Sequence, residues 1–313
     1  SGSPDSGADH DSDLVKAYRT FVDGGLAALR QDRDSVSWLQ YDLAFGEAGR
    51  RECYPRLLGA ARDLLDAEQA DDFFFMHKPP GLRIRFHPVD AERSKVDEVV
   101  RGNLHAWQRD GLVRAWRPTC YEPETLLFGG PVSMRSVHRL FTADSLVWLA
   151  YHGEAVRPGA APGPAWALSL LMLRALFEGL EIAGWEDLDV WDRVRWQTGR
   201  RLNPRLKAEL GLEPLTAALR TGWNDPKSLL THVSPDLHEA LAEYRETVAA
   251  EVRRWRRDYF YSGEATLGPR AALAYVVIFH WNRAGLPTNR QCLLTEALAA
   301  HLADEPAPAG DAR

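Results

Sequence analysis

The sequence predicts an α+β protein, in which an antiparallel sheet with flanking helices is followed by a mainly helical C-terminal half. Three observations support this prediction. Residues 72–87 read as a strand, a tight turn and a second strand. Apolar residues recur at helical spacing on both sides of that stretch. After residue 164, nearly every apolar pattern has the period of a helix.

The predicted hairpin over residues 72–87 has two strands of different character. Its first run, Phe73, Phe74 and Phe75, is apolar and β-prone, and K-P-P-G at 78–81 supplies the turn. The second run alternates between two faces, with Leu82, Ile84 and Phe86 on one and Arg83, Arg85 and His87 on the other. A strand face lined with arginines suits the binding of carboxylates or peptide carbonyls. The plainer interpretation is a solvent-facing strand that happens to carry arginines.

The remaining elements follow from apolar spacing and from proline and glycine positions. Before the hairpin we predict a helix over 14–30, a strand over 37–45 and a helix over 54–68. After it we predict a helix over 92–108, an extended segment over 112–121 and a helix over 131–151. The second half is predicted to hold helices over 166–180, 235–259, 269–280 and 291–302, with a loop at 225–232.

The domain organisation is predicted from composition. The polar residues 1–12 and the tail 303–313 are expected to be disordered. Residues 13–302 are expected to form one domain, with a mixed α/β part to about 152 and a helical part over 165–302. Between them, residues 153–164 are too rich in proline and glycine for regular structure.

Composition and simple motifs argue against several classes of function. A net charge of −6 and a pI near 5.9 argue against a general binder of nucleic acids or anionic membranes. Three widely spaced cysteines indicate a reduced, cytoplasmic setting and no zinc site. The most apolar run, over 165–173, is too short to cross a bilayer, and no signal peptide is expected. Phosphate-binding loops and dinucleotide-binding fingerprints are absent from the sequence.

Three polar sites stand out in apolar surroundings. Tyr121, Glu122 and Glu124 lie at a proline turn before a Gly-Gly pair. Asp144 lies inside the apolar run F-T-A-D-S-L-V-W, where a helix cap is the alternative explanation. His280 shares a helical face with apolar residues and is as readily explained as a satisfied core histidine.

Four stretches carry a family resemblance: F-F-F-M-H-K-P-P-G-L-R-I-R-F, Y-E-P-E-T-L-L-F-G-G, L-F-T-A-D-S and F-H-W-N-R-A-G-L. Together, and in this order over roughly residues 36–300, they resemble the C-terminal, glutamate-eliminating domain of lantibiotic dehydratases. That domain also occurs as stand-alone thiopeptide biosynthesis proteins. The resemblance therefore implies a protein that acts on a ribosomal peptide.

Two positions depart from the eliminating enzymes. Leu127 stands where an arginine precedes their aromatic-Gly-Gly, and Ile278 stands where a histidine lies four residues before their Asn-Arg pair. Elimination needs a base for the α-proton and a cation for the leaving glutamate, and these aliphatic side chains supply neither. The resemblance thus implies a pyridine synthase, in which Leu127 and Ile278 share an inherited cleft with Arg83 and Arg85.

The reaction implied is a formal aza-(4+2) cycloaddition of two dehydroalanines in a modified precursor peptide, with loss of water and the leader peptide. It requires orientation of two peptide ends, donors that favour the iminol form and acid–base groups, with no cofactor or metal. The candidate catalytic residues are Tyr121, Tyr261, Ser262, Tyr275 and His280. The candidates for binding substrate and leader peptide are Arg83, Arg85, Glu122, Glu124, Asp144, Trp281 and Arg283.

The expected partner is a precursor peptide with a leader and a dehydrated, azole-containing core, and a homodimer is left open. Two other functions also remain open. One is a stand-alone elimination protein of a split lantibiotic dehydratase, acting on glutamylated serine or threonine. The other is a non-catalytic partner that binds the leader peptide for another enzyme.

Overall fold

Four antiparallel strands form the sheet of this protein. The computed structural model describes residues 15–25, 37–46 and 49–300. The strands are β1 (Leu39–Phe45), β2 (Ala70–Lys78), β3 (Gly81–Pro88) and β4 (Val113–Thr119), and their order in the sheet is β2-β3-β1-β4. The predicted α+β class, antiparallel sheet and helical C-terminal half are confirmed.

Helices cover most of the remaining described chain. In the first half they are α1 (residues 15–25), α2 (Gly49–Asp66), α3 (Arg93–Arg109) and α4 (Pro131–Glu154). In the second half they are α5 (Ala165–Gly179), α6 (Trp185–Gln197), α7 (Pro204–Leu210), α8 (Glu213–Asn224), α9 (Pro226–Leu230), α10 (His238–Trp255), α11 (Pro269–Arg283) and α12 (Thr288–Ala299). A π-helical turn, Arg256–Phe260, extends α10.

The predicted hairpin is confirmed as β2 and β3. Phe73 pairs with Phe86 and Phe75 with Ile84, and a cis Pro79–Pro80 bond lies in the turn. The apolar face of β3 is 1% exposed at each of its three apolar residues. These residues join side chains of α2 and α3 in one buried cluster, so this face of the sheet is its core side.

Several of the predicted boundaries are wrong, and three of them have a clear local cause. Helix α2 begins at Gly49 rather than at residue 54, because Gly49 and Cys53 are buried and draw the earlier turn into the core. The predicted loop over 225–232 contains α9, which Asp225 begins by accepting the backbone N–H of Lys227. The long helix predicted to Tyr259 ends at Trp255 and continues as the π-helical turn.

Parts of other predictions lie outside the described residues. Of the helix predicted over 14–30, the described portion, residues 15–25, is helical. The ends predicted to be disordered, residues 1–12 and 303–313, are among those that the structure does not describe.

Helix α4 lies between the sheet and the helical half. It packs against β2 and α2 on one side and against α10 and α11 on the other. Its hydroxyls also bond to β2, since Thr142 and Ser145 accept the backbone N–H groups of Phe73 and Phe75 at 3.1 and 3.3 Å. These bonds satisfy an edge strand that would otherwise leave buried donors unpaired.

The turn before α4 has no room for a side chain at Gly129. Gly129 has φ = +85°, and a Cβ there would lie 1.9 Å from Tyr259 Oη, which the backbone N–H of Leu267 fixes at 3.0 Å. We expect Gly129→Ala to lower the free energy of unfolding by about 2–3 kcal/mol, through overpacking and backbone strain. Gly130→Ala shares the positive φ but meets no atom within 4 Å, so its urea midpoint should fall less. Equal losses would contradict the steric explanation.

Candidate functional site

The polar face of the sheet carries the arginines that the sequence singles out. Arg83 donates from Nε to Asp42 Oδ1 at 2.7 Å, and Asp42 also faces Arg117 at 3.4 Å. A cavity of about 340 Å³, here called the cationic cavity, is lined by Asp42, Leu43, Ala44, Lys78, Pro79, Pro80, Leu82, Arg83, Ala115, Trp116 and Arg117. Three cations against one carboxylate give this cavity a positive charge that favours acidic ligands.

Arg85 is buried, in contrast to the plainer interpretation of a solvent-facing strand. It is 6% exposed and donates from Nε to Gln40 Oε1 at 2.6 Å. Its Cζ lies 4.8 Å from the Phe74 ring centroid and 4.4 Å from that of Tyr121. Burial lowers the pKa of Arg85 to about 10, so the guanidinium is still charged at neutral pH.

Tyr121 joins Arg85 to a group on α4. Its Oη lies 2.8 Å from His138 Nε2 and 3.4 Å from Glu124 Oε2. Burial, followed by the charge of Glu124, raises the pKa of Tyr121 well above its usual range. Burial lowers the pKa of His138 to about 3, so this imidazole is neutral at physiological pH. The arrangement is a buried donor–acceptor network that the fold holds in place.

A second cavity lies against this network. It has a volume of about 200 Å³ and is here called the aromatic cavity; its lining is Trp38, Asp71, Asp72, His87, Pro123, Thr125, Pro131, Met134, Arg135, His138 and Arg139. The rings of Trp38 and His138 lie 4.5 Å apart, and Trp38 stacks on His87 at 5.0 Å. Tyr121 therefore lies one hydrogen bond behind the cavity wall.

Among the carboxyl groups that line this cavity, Asp72 has the pKa that departs most from its ordinary value. It is 7% exposed, and Thr142 Oγ1 lies 3.2 Å from its Oδ1. Burial raises its pKa from 3.8 to about 7. A group that exchanges its proton near neutral pH is suited to general acid–base chemistry.

The same shift makes stability depend on pH. Because the folded state holds the Asp72 proton more tightly than the unfolded chain, stability should fall as pH rises from about 4 to about 7. We expect Asp72→Asn to remove this dependence and to raise the free energy of unfolding at pH 8 by roughly 2–4 kcal/mol. Urea unfolding at pH 4.5 and pH 8 measures it, with the exposed Asp63→Asn as control. A parent and variant with parallel pH curves would contradict the assignment.

Asp144, His280 and Arg283 form a separate buried cluster between α4 and α11. His280 Nδ1 lies 2.5 Å from Asp144 Oδ1, and Arg283 Nε donates to Asp144 Oδ2. Ser169 Oγ lies 2.9 Å from His280 Nε2 and accepts the indole N–H of Trp281 at 3.1 Å. Burial alone would raise the pKa of Asp144, but His280 and Arg283 hold it below the usual range.

Arg283 has unused donor capacity. It is fully buried, its Nη2 has no hydrogen-bond partner among the described residues, and its Cζ lies 4.2 Å from the Phe141 ring centroid. This cluster brings together four of the residues singled out from sequence: Asp144, His280, Trp281 and Arg283.

The other predicted site residues are dispersed. Tyr261 is 68% exposed and bonds to Arg256, while the exposed Ser262 donates to the carbonyl of Tyr259 at 2.8 Å. Tyr275 is half-buried against Phe128. Glu122 is exposed. The structure therefore groups Arg85, Tyr121 and Glu124 in one place and the α4–α11 cluster in another, and their catalytic or binding roles stay predictions.

Leu127 and Ile278 lie outside the linings of the cationic and aromatic cavities. Arg83 lines the cationic cavity, while Arg85 lies behind Tyr121. The expectation of one cleft shared by all four residues is therefore not supported by these two cavities, and the argument for lost elimination chemistry rests on residue types.

Three residues of this site are missed by the sequence argument. Gln40 and His138 bond to Arg85 and Tyr121, and Asp72 supplies the near-neutral carboxyl group. Gln40 could have been found, because strand alternation places it opposite Arg85 on the polar face. His138 and Asp72 carry no comparable signal.

Two general features of the described chain bear on function. Within residues 15–25, 37–46 and 49–300, no helix combines the length and apolar character needed to cross a bilayer. The same residues contain no group of three or more histidine, cysteine, aspartate or glutamate side chains arranged for a metal ion.

Comparisons with known proteins give a family and a fold. Residues 38–302 match the family described as the C-terminal part of lantibiotic biosynthesis dehydratases. No curated protein matches the chain.

The solved structures that share the fold include MibB, TbtD and TsrL. MibB, a tRNA dependent lantibiotic dehydratase from Microbispora sp. 107891, is 19% identical to this chain, with a TM-score of 0.58. The match covers 84% of this chain and 27% of MibB, so the chain spans about a quarter of that protein. TbtD, the pyridine synthase from thiomuracin biosynthesis, is 17% identical with a TM-score of 0.54 over 84% of this chain and 96% of TbtD. TsrL is 15% identical to this chain, with a TM-score of 0.51, and the match covers 84% of this chain and 92% of TsrL. With a family match over most of its length, the chain belongs to the lantibiotic dehydratase C-terminal family.

Proposed function

We propose that this protein is a stand-alone pyridine synthase that cyclises a modified precursor peptide. It joins two dehydroalanines by a formal aza-(4+2) cycloaddition and releases water and the leader peptide. The observation that carries the proposal is the aromatic cavity, where Asp72 and the neutral His138 line one wall and Tyr121 lies directly behind it. The likeness in fold to TbtD, which the match covers almost completely, agrees with a stand-alone enzyme.

The chemistry needs a proton donor and acceptor more than a strong nucleophile. The 2-azadiene forms when an amide takes its iminol form, and aromatisation of the adduct then expels water and the leader carboxamide, each together with a proton. A carboxyl group with a pKa near 7 can serve in both steps at neutral pH. The neutral His138 accepts an amide N–H of the substrate, because burial keeps its imidazole unprotonated.

Two regions of the surface bind different parts of the precursor peptide. A cavity of about 200 Å³ is smaller than the roughly 300–1,000 Å³ of pockets that enclose drug-sized ligands, so only the reacting segment enters it. The rest of the peptide lies along the polar face of the sheet, towards Lys78, Arg83 and Arg117 of the cationic cavity. Holding both ends on one rigid sheet supplies the orientation that the cycloaddition requires.

The test uses a synthetic precursor peptide with a leader, azoles and two dehydroalanines. The purified protein should release the leader as a carboxamide and leave a pyridine-containing macrocycle without added ATP, metal or tRNA, as followed by mass spectrometry. Asp72→Asn should reduce the rate about 100-fold, whereas Asp63→Asn, on the surface of α2, should match the parent.

Other outcomes identify the alternatives. If the protein instead converts a glutamylated peptide to dehydroalanine, it is an elimination protein. If it binds the leader peptide tightly but leaves the dehydrated peptide unchanged, it is a non-catalytic partner. Either result would overturn the proposal.

A further inference from the structure

A third cavity, the largest of those described here, lies on the opposite side of the β2–β3 hairpin. Its volume is about 760 Å³, and it is here called the histidine cavity. Its lining is Arg50, Arg51, Tyr54, His77, Pro79, His152, Ala155, Asn282, Ala284, Gly285, Leu286, Pro287, Thr288 and Gln291. Pro79 also lines the cationic cavity, so the tip of the hairpin separates the two. This cavity takes no part in the proposed cyclisation.

Backbone carbonyls fix the two histidines in this cavity. His77 Nδ1 donates to the carbonyl of Asn282 at 2.8 Å, so its Nε2 accepts the Tyr54 hydroxyl at 2.8 Å. His152 Nε2 donates to the carbonyl of Arg283 at 3.0 Å. Burial lowers the pKa of His77 and lowers that of His152 to about 3, so both rings are neutral. His152 Nδ1 therefore keeps a lone pair, and the described chain supplies no donor for it.

The charge of the cavity comes from the start of α2. Arg50 and Arg51 are exposed at its rim, and neither forms an ion pair within the described residues. Arg50 instead lies 5.9 Å from the Phe45 ring centroid. Of the fourteen residues that line the cavity, none is an aspartate or a glutamate. A space of this size with two cations at its rim and no carboxylate in its lining attracts anions.

Other parts of the wall favour an extended, partly apolar ligand. Pro79, Leu286 and Pro287 present apolar surface beside the polar groups. Gly285 has φ = +69°, and a Cβ there would lie 3.3 Å from His77 Cε1, so the absence of a side chain keeps the wall open at the histidines. The cavity therefore combines cations, a hydrogen-bond acceptor and apolar contacts.

We infer that the histidine cavity binds an acidic peptide segment. Carboxylates of the peptide pair with Arg50 and Arg51, while His152 Nδ1 accepts a backbone N–H and aliphatic side chains contact Pro79 and Leu286. A peptide presents all of these groups at close spacing, whereas inorganic phosphate presents no apolar part and, when fully ionised, no donor. If the proposed function holds, the segment belongs to the same precursor peptide and anchors it away from the reacting face.

The test measures binding without turnover. The probe is a fluorescein-labelled hexapeptide that alternates glutamate and leucine, followed by fluorescence anisotropy at low salt, with a glutamine–leucine peptide as its uncharged match. The doubly substituted Arg50→Gln/Arg51→Gln protein should bind the acidic probe at least about tenfold more weakly. Arg62→Gln, which removes an exposed arginine elsewhere on α2, should bind like the parent. His152→Phe, which keeps a ring against Tyr54, should bind a few-fold more weakly.

Several results would overturn this inference. They are an absence of binding by the parent, equal binding of the glutamine peptide, parental affinity in the double variant, and displacement of the probe by millimolar inorganic phosphate. Failure of cyclisation does not affect this assay, because no turnover occurs in it. If cyclisation is observed, the double variant should raise KM for the precursor peptide and leave kcat unchanged, which separates anchoring from catalysis.

Discussion

If the proposed cyclisation holds, replacing Arg85 with alanine is expected to lower the rate of leader release about 100-fold, by removing the only cation that contacts Tyr121 among the described residues. Arg85 fixes the Tyr121 ring by a cation–π contact at 4.4 Å and is itself held by Gln40. Without it, the hydroxyl that bonds to His138 is free to shift. The effect should appear mainly in kcat, because the side chain positions Tyr121 behind the cavity wall.

Three control variants distinguish the specific contacts of Arg85 from a general effect of removing a positive charge. Arg254→Ala removes an exposed arginine that faces Glu251 at 3.4 Å, and it should behave like the parent. Arg83→Ala should chiefly raise KM, since Arg83 lines the cationic cavity. Arg85→Lys should rescue little activity, because an ammonium cannot both stack on Tyr121 and donate to Gln40 as the guanidinium does. Parental rates in Arg85→Ala would mean that Arg85 has no part in the reaction, and parental behaviour of Arg83→Ala as well would remove the arginines of β3 from the site.

Asp144→Ala is expected to produce the largest loss of stability, about 3–5 kcal/mol in the free energy of unfolding by urea. It removes the shared carboxylate of two groups that are both 0% exposed, His280 and Arg283. The Arg283 guanidinium would then be a buried charge without a counter-ion. Asp236→Ala, which breaks an exposed pair with Arg157, should lower stability by less than about 1 kcal/mol.

A double variant keeps this prediction testable if the single variant does not fold. Replacing Arg283 with methionine in the Asp144→Ala background removes the unpaired charge and should recover part of the loss.

The contribution of Asp144 to stability should also depend on pH. The folded-state pKa of Asp144 lies below 3.8, so its contribution is complete above about pH 4 and is lost as pH falls through the folded value. A single variant within about 1 kcal/mol of the parent would contradict the assignment.

Local patterns were sufficient to predict the β2–β3 hairpin, although not the order of the four strands. The alternation of Leu82, Ile84 and Phe86 with Arg83 and Arg85 determines which side chains enter the core, and the Pro-Pro-Gly turn determines where the chain reverses. Both are short-range effects that a neighbouring segment rarely overrides. Helix ends were less predictable, because the early turn of α2 is stabilised by contact of Gly49 with Leu112, a distant residue.

The site required contacts that sequence spacing does not reveal. His138 approaches Tyr121 across 17 positions, and Asp144 approaches Arg283 across 139. The acidity of Asp72 depends on burial by α4, which no property of the strand itself indicates. The family resemblance includes Asp144 and Arg283 in two of its motifs, and the structure brings these residues into contact, but their function in this chain remains a prediction.

Because α4 packs against both the sheet and the helical half, cleavage of the chain after α4 should have a definite effect on the two fragments. Because one face of this helix completes the sheet and the other completes the helical bundle, neither half encloses its own interior. Severing the chain in the proline- and glycine-rich segment after α4 would separate α4 from α10 and α11, on which it packs, and would separate Trp148 from the His280 ring, 5.3 Å away. Fragments cut there should aggregate when expressed singly and regain solubility only when produced side by side.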